Sequence, residues 1–252
     1  MINKYFTVEV KPVLPIAQQI THGEGGISDK QFGAGDLLFD WVSFEVPKGA
    51  SKLIDITIIA RGTQTIKETD FHFAKTYNGT APGSLGTVNA SADGIGYYKN
   101  VIGAVVMDNT NWKTDLDNID IGSLGYGASA DQISSVVLEG EPESGSNVGY
   151  DTLYIGATTS GTSFNFSTGV TANGAVSSGA ATDITVADVD PRLFFDIGDV
   201  IHVSDSETAI GTIKSIDDAT SIILEAVNGV AIADDDEIMN ASPLTIRLSF
   251  EK

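Results

Sequence analysis

Three histidines are the side chains able to exchange protons near neutral pH, and their placement builds no catalytic centre. His72 alternates with Phe71 and Phe73 in residues 69–75, so a strand there turns His72 outward. His202 sits likewise in Val200-Ile-His-Val203, and His22 lies in the loop Thr21-His-Gly-Glu-Gly-Gly26. No two of them have metal-ligand spacing, and no Ser-His-Asp relationship can be drawn from three scattered residues. His22 with Glu24 is the least poor acid–base pair and receives no role. The glycine loops Gly23-Glu-Gly-Gly26 and Gly33-Ala-Gly35 match neither the Gly-x-Gly-x-x-Gly nor the Walker pattern, so nucleotide binding has no support. With 34 acidic residues, carboxylate pairs arise by chance, which weakens any one of them as a glycosidase centre. Asp108, Asp115, Asp117 and Asp120, and the run Asp234-Asp-Asp-Glu237, offer oxygen ligands of the kind Ca²⁺ prefers, but neither follows the EF-hand spacing. Solvated acidic loops are the expectation for both. No catalytic residue, cofactor or metal is assigned, and the chain reads as a structural or binding protein rather than an enzyme.

Composition narrows the partners. The apolar share of 42% is that of a folded chain, and 252 residues suffice for one large β-sandwich or two modest domains. A formal charge of −20 and a pI near 4.2 disfavour nucleic acid, whose phosphates need Lys and Arg. Anionic membrane surfaces are disfavoured for the same reason. The absence of cysteine excludes disulfides, thiolate zinc sites and cysteine nucleophiles. No run approaches the roughly 20 apolar residues of a membrane-spanning helix. Residues 1–10 (MINKYFTVEV) alternate polar and apolar types, which predicts a first strand rather than a signal peptide, and synthesis in a cytoplasm.

Strand signals dominate the pass along the chain. Residues 38–46 and 52–60 read as strands around the turn cluster 47–51, with Ile54, Ile56 and Ile58 sharing one face. Residues 101–107 (VIGAVVM) form a continuous apolar run expected of a strand buried on both faces. Shorter strands are expected at 134–138, 152–155 and 163–166, and one or two helical turns at 111–119. The stretches 77–96 and 158–181, rich in Gly, Ser, Asn, Thr and Ala, read as loops over a sandwich edge, with arms that order on assembly as the alternative.

After Ala181 the composition shifts. Between Asp183 and Glu237 fourteen acidic residues face two basic ones, Arg192 and Lys214, giving −12 of the total −20. Three short strands with hairpin turns at Asp205-Ser-Glu and Asp217-Asp-Ala suggest a small barrel. In residues 243–252, Leu244, Ile246, Leu248 and Phe250 point one way and Thr245, Arg247 and Ser249 the other. This strand is expected to return to the first sheet, although attachment to the acidic module fits the alternation equally well. The fold expected is therefore all-β: a jelly-roll-like β-sandwich over 1–180, a small acidic SH3-like β-barrel inserted at 181–242, and a returning C-terminal strand.

The block Asp196-Ile-Gly-Asp-Val-Ile-His-Val-Ser-Asp205, followed by Ile210-Gly-Thr-Ile-Lys-Ser-Ile216 and Thr220-Ser-Ile-Ile-Leu224, resembles a module recurring in virion structural proteins of marine, T4-like tailed phages. There a "GD-x-I", "IG-x-I-x-S-I", "T-x-I-x-L" succession looks like a repeated small β-barrel. The resemblance covers roughly residues 183–242 and brings no catalytic residues with it. It implies a bacteriophage virion component, either a head decoration protein or a tail or baseplate part. The absence of heptads and of a glycine-periodic shaft argues against a tail fibre and favours capsid decoration. The resemblance then implies the major capsid protein and other virion proteins as partners, and a homo-oligomer, a trimer, since decoration proteins of this kind often sit on threefold positions. The Pro-bracketed segment Lys11-Pro-Val-Leu-Pro-Ile16 cannot be an ordinary central strand. Val13, Leu14 and Ile16 are its expected partner-binding residues, as an arm gripping the shell, or else anchors of a loop. The alternative function is a receptor-binding or carbohydrate-binding tail protein, with Tyr97, Tyr98, Trp112 and Tyr126 stacking on sugars; otherwise these aromatics anchor core and loops.

Overall fold

The computed structural model describes residues 4–15, 32–62, 68–94, 99–116, 119–125, 136–140, 149–160, 166–204 and 206–252. The protein is all-β. One sheet of the sandwich runs in the order β1 (Tyr5–Val10), β16 (Leu244–Glu251), β3 (Ser51–Arg61), β7 (Ile119–Gly125) and β6 (Trp112–Leu116), with β8 (Val136–Leu138) also pairing β3. The facing sheet runs β2 (Leu37–Pro47), β9 (Tyr150–Thr159), β4 (Thr69–Lys75) and β5 (Val101–Met107). The pairings are antiparallel, so each strand buries alternate residues between the sheets. Phe44, Phe71, Phe73, Ile56, Ile246 and Phe250 belong to that shared core.

Local patterns explain most strand faces, and two deviate for identifiable reasons. The last strand lies between β1 and β3, with Ile246 opposite both Val10 and Ile58. At Ser249 and Phe250 its partners on β3 jump from Asp55 to Leu53, a β-bulge that leaves Ile54 as the extra residue. The bulge reverses the alternation there: Leu53, Ile56 and Ile58 are buried, while Ile54 leaves the face expected for it and is half-buried. In β5, Val105 and Met107 are buried but Val106 is 63% exposed. The strand is not buried on both faces as its apolar run suggested: Val105 and Met107 enter the core between the sheets, while Val106, opposite Asp70 of β4, lies on the outer, solvent-facing side. Among the described residues of 111–119 the expected helical turns are replaced by strand β6, preceded by a 3₁₀ turn at Asn109–Asn111.

The second body is a barrel-like sheet of six strands: β10 (Thr171–Ala172), β11 (Asp183–Ala187), β14 (Ser221–Leu224), β13 (Ala209–Asp218), β12 (Val200–Val203) and β15 (Ile238–Asn240). Its edges meet where Thr171 bridges Glu237 and the Ile238 N–H donates to the Val170 carbonyl at 2.8 Å. Bulges in β12 and β13 bend the sheet enough to curl. Its core contains Val170, Ile184, Val186, Phe194, Phe195, Ile201 and Ile213, separate from the sandwich core. Val170 and Ala172 belong to it, so the barrel begins ahead of the boundary expected at 181. A two-residue Thr-Ala strand among glycines and serines carries no alternation from which it could be read.

Candidate partner-binding site

The segment that follows β1 brings the two bodies together. Leu14 is buried in the sandwich core, and its N–H donates to the Ala241 carbonyl at 2.9 Å. Alternation then turns its neighbour outward, leaving Val13 71% exposed. Beyond it the barrel presents the tight turn Asp196-Ile-Gly-Asp199, closed by the Asp199 N–H donating to the Asp196 carbonyl at 3.1 Å. Gly198 takes φ +90°, the left-handed position that glycine fills without strain. The turn holds Ile197 at its tip, 72% exposed. Lys11, Val13, Ile197, Val200, His202 and Ser242 help to line a cleft of about 450 Å³ at this junction.

The walls are held by a polar hub. The Asp199 carboxylate, through Oδ2, accepts from the Asp196 N–H at 2.9 Å, the Asn240 amide at 2.8 Å and the Arg61 guanidinium at 3.3 Å. Arg61, at the end of β3, also pairs with Asp196 and donates to the Phe194 carbonyl at 3.5 Å. Its own N–H donates to the Pro243 carbonyl at 3.0 Å, so it spans the exit from barrel to sandwich. Three aliphatic side chains, Val13, Ile197 and Val200, thus stand exposed on backbone that is already fixed. Such pre-organised apolar surface suits docking of a protein partner, since little ordering entropy is lost on contact.

His202 lines the cleft and is buried, contrary to the outward position expected of it. Its Nδ1 lies 3.3 Å from the Ser206 carbonyl, which fits the neutral tautomer donating there. Burial holds its pKa below the usual histidine value, against the opposing pull of that carbonyl and of Glu207. His72 does face the outer side of its sheet, but half-buried, 3.1 Å from the Thr158 hydroxyl. Burial lowers its pKa too, with Asp70 opposing.

The residues singled out from sequence separate. Val13 belongs to the cleft, Leu14 is a core anchor rather than a partner contact, and Ile16 lies outside the described residues. Of the stacking candidates, Trp112 is only 6% exposed and packs with Met107 over Gly122, which removes it from any sugar-binding surface. Tyr97, Tyr98 and Tyr126 lie outside the described residues, as does His22. Asp108 caps the 3₁₀ turn, where the Thr110 hydroxyl and N–H hold its carboxyl below the usual range. Asp234 and Asp236 accept backbone N–H groups of Gly174 and Ala233, and Glu237 accepts from Ser167, Thr168 and Gly169. Among the described residues no group of three or more His, Asp or Glu is placed to hold a metal ion. Sequence reading missed Ile197 and Val200. The available signal was an isoleucine at the tip of an Asp-Ile-Gly-Asp turn, where a polar residue is usual.

No family model and no curated protein matches the chain. Among solved structures, the dimeric latent PorU of Porphyromonas gingivalis aligns with 99% of this chain and 20% of its own, at 14% identity and a TM-score of 0.13. A superposition at that level carries no argument.

Proposed function

We propose that this chain is a non-enzymatic structural component of a tailed-phage virion, a capsid decoration protein that docks on the outer shell. The observation that carries the reading is the junction cleft, where Val13, Ile197 and Val200 form an exposed, rigidly supported apolar surface. The sequence resemblance over residues 183–242 supplies the particle. The charge distribution supports an outward-facing barrel: fourteen of its residues are acidic and two basic, a surface that repels packaged nucleic acid. In this reading the sandwich and the junction end of the barrel meet the major capsid protein, while the rest of the barrel faces solvent.

Localisation in purified particles tests the proposal. Gold-labelled antibody should decorate the head, at a copy number in a simple ratio to the major shell protein. Label confined to the tail tip would transfer the chain to host recognition, and an unlabelled particle would end the virion reading.

A further inference from the structure

Away from the junction a second cleft, of about 510 Å³, is lined by Tyr77, Asn78, Thr80, Gly83, Lys99 and Asn100 among others. Its near wall is a two-residue hairpin in which the N–H of Tyr77 and of Thr80 each donates to the other's carbonyl, at 2.9 and 3.0 Å. Asn78 and Gly79 sit at φ +49° and +73°, the left-handed pair of a type I′ turn. Asn100, 6% exposed, pins this hairpin by donating its amide to the Lys75 carbonyl at 2.8 Å and the Thr80 carbonyl at 3.1 Å. The Gly83 carbonyl on the other wall accepts from the Trp41 indole at 2.9 Å. Next to it, Asp40 accepts from the Ser84 hydroxyl at 2.6 Å and the Leu85 N–H at 2.9 Å. Both walls are therefore set before any ligand arrives, which lowers the ordering lost on binding.

The groups presented are an aromatic ring, 44% exposed at Tyr77, beside an exposed amide at Asn78, an exposed hydroxyl at Thr80 and the Lys99 side chain. Asn78, Thr80 and Lys99 set polar side chains into the lining, a poor match for a lipid tail or an apolar peptide. A polyphosphate would need several cations, and Lys99 is the one cation in the described lining. A sugar ring answers all of the groups at once, with its C–H face against an aromatic ring and its hydroxyls toward amide and hydroxyl partners.

We propose that this cleft binds carbohydrate, with Tyr77 stacking on a sugar ring and Asn78 and Thr80 taking its hydroxyls. The site is independent of the virion reading, since neither its walls nor its ligand groups involve the junction.

Saturation-transfer NMR of the full chain with galactose, N-acetylglucosamine and glucuronic acid as separate probes tests it. Transfer to the ring C–H protons of at least one probe is expected. Affinity should fall about tenfold or more in Tyr77→Ala and hold within about twofold in Tyr77→Phe. Asn78→Gly keeps the left-handed turn and removes the amide, so it should weaken binding about threefold in a folded protein. Tyr150→Ala, altering a ring 49% exposed and absent from the cleft lining, should change nothing. Absence of transfer to all three probes overturns the proposal. So does binding that survives Tyr77→Ala and Asn78→Gly unchanged.

Discussion

Arg61 and Asp199 lie 138 positions apart in sequence, yet the guanidinium of one donates to the carboxylate of the other at 3.3 Å. The pair joins the end of a sandwich strand to the tight turn that carries Ile197. Both side chains are largely sheltered, 20% exposed for Arg61 and 9% for Asp199, so water screens them less than a surface pair. Because Asn240 and the Asp196 N–H share the same carboxylate oxygen, loss of Asp199 strands several donors together.

Asp199→Ala should therefore lower stability by about 2–3 kcal/mol, through the loss of several charge-assisted hydrogen bonds while Arg61 keeps Asp196 as a partner. Urea unfolding of Arg61→Met, Asp199→Asn and the double variant reads the coupling. Strictly additive losses would show that the two residues do not act as a pair.

The histidines predict an acid limb in stability. Burial lowers the folded-state pKa of both His72 and His202 from 6.5, so the unfolded chain binds their protons first as pH falls. Stability is then full above about pH 6.5 and declines on acidification below it, down through the lowered folded pKa values. Asp108, Asp190 and Asp218 are also lowered, from 3.8, so what they contribute is present above that value and is lost only at still lower pH. Replacing both histidines by glutamine should flatten the melting temperature between about pH 6.5 and pH 5. An unchanged slope would refute this account.

Trp112 should behave as a core residue. Trp112→Ala is expected to lower stability by about 3–5 kcal/mol through the cavity over Gly122. Its indole N–H is buried without a hydrogen-bond partner. Trp112→Phe discards that orphan donor along with one ring, so chemical denaturation should register a much smaller loss, about 1–2 kcal/mol.

Glu237 closes the barrel. One carboxylate oxygen accepts from the Ser167 hydroxyl at 2.6 Å and from the Thr168 and Gly169 N–H groups at 2.8 and 2.9 Å. Glu237→Ala should destabilise by about 2 kcal/mol, given the partial exposure of the group. Hydrogen exchange should accelerate at Thr168 and Gly169 before it does in β13, and uniform acceleration would argue against a local closure.

At the junction, Val13→Asp and Ile197→Asp place charge on exposed positions and should leave stability within about 0.5 kcal/mol. Attachment to particles should nevertheless be lost in a sedimentation assay. Point changes are preferable to deleting residues 1–16, because that deletion removes strand β1 and the buried Leu14 anchor as well as Val13. Full attachment by both variants would detach the cleft from the proposed function.

How far the sequence reaches can be judged strand by strand. Phe71 and Phe73, or Leu244 through Phe250, announce a strand and its inward face because side chains alternate along the chain itself. The acidic excess between Asp183 and Glu237 and the absence of cysteine are likewise properties of composition, and they hold whatever the fold. The identity of a strand's neighbours is not written in its own alternation. It is tertiary structure that leaves Val106 of β5 on an outer, solvent-facing side, shifts the face of Ile54 by a bulge, and buries Trp112 over Gly122. The same holds for the site. Sequence marked Val13 as apolar in a place unsuited to a central strand, but its companions Ile197 and Val200 reach it only because Arg61 and Asp199 bring sandwich and barrel together. Local periodicity determined the all-β character, and non-local contacts determined the surfaces available for binding.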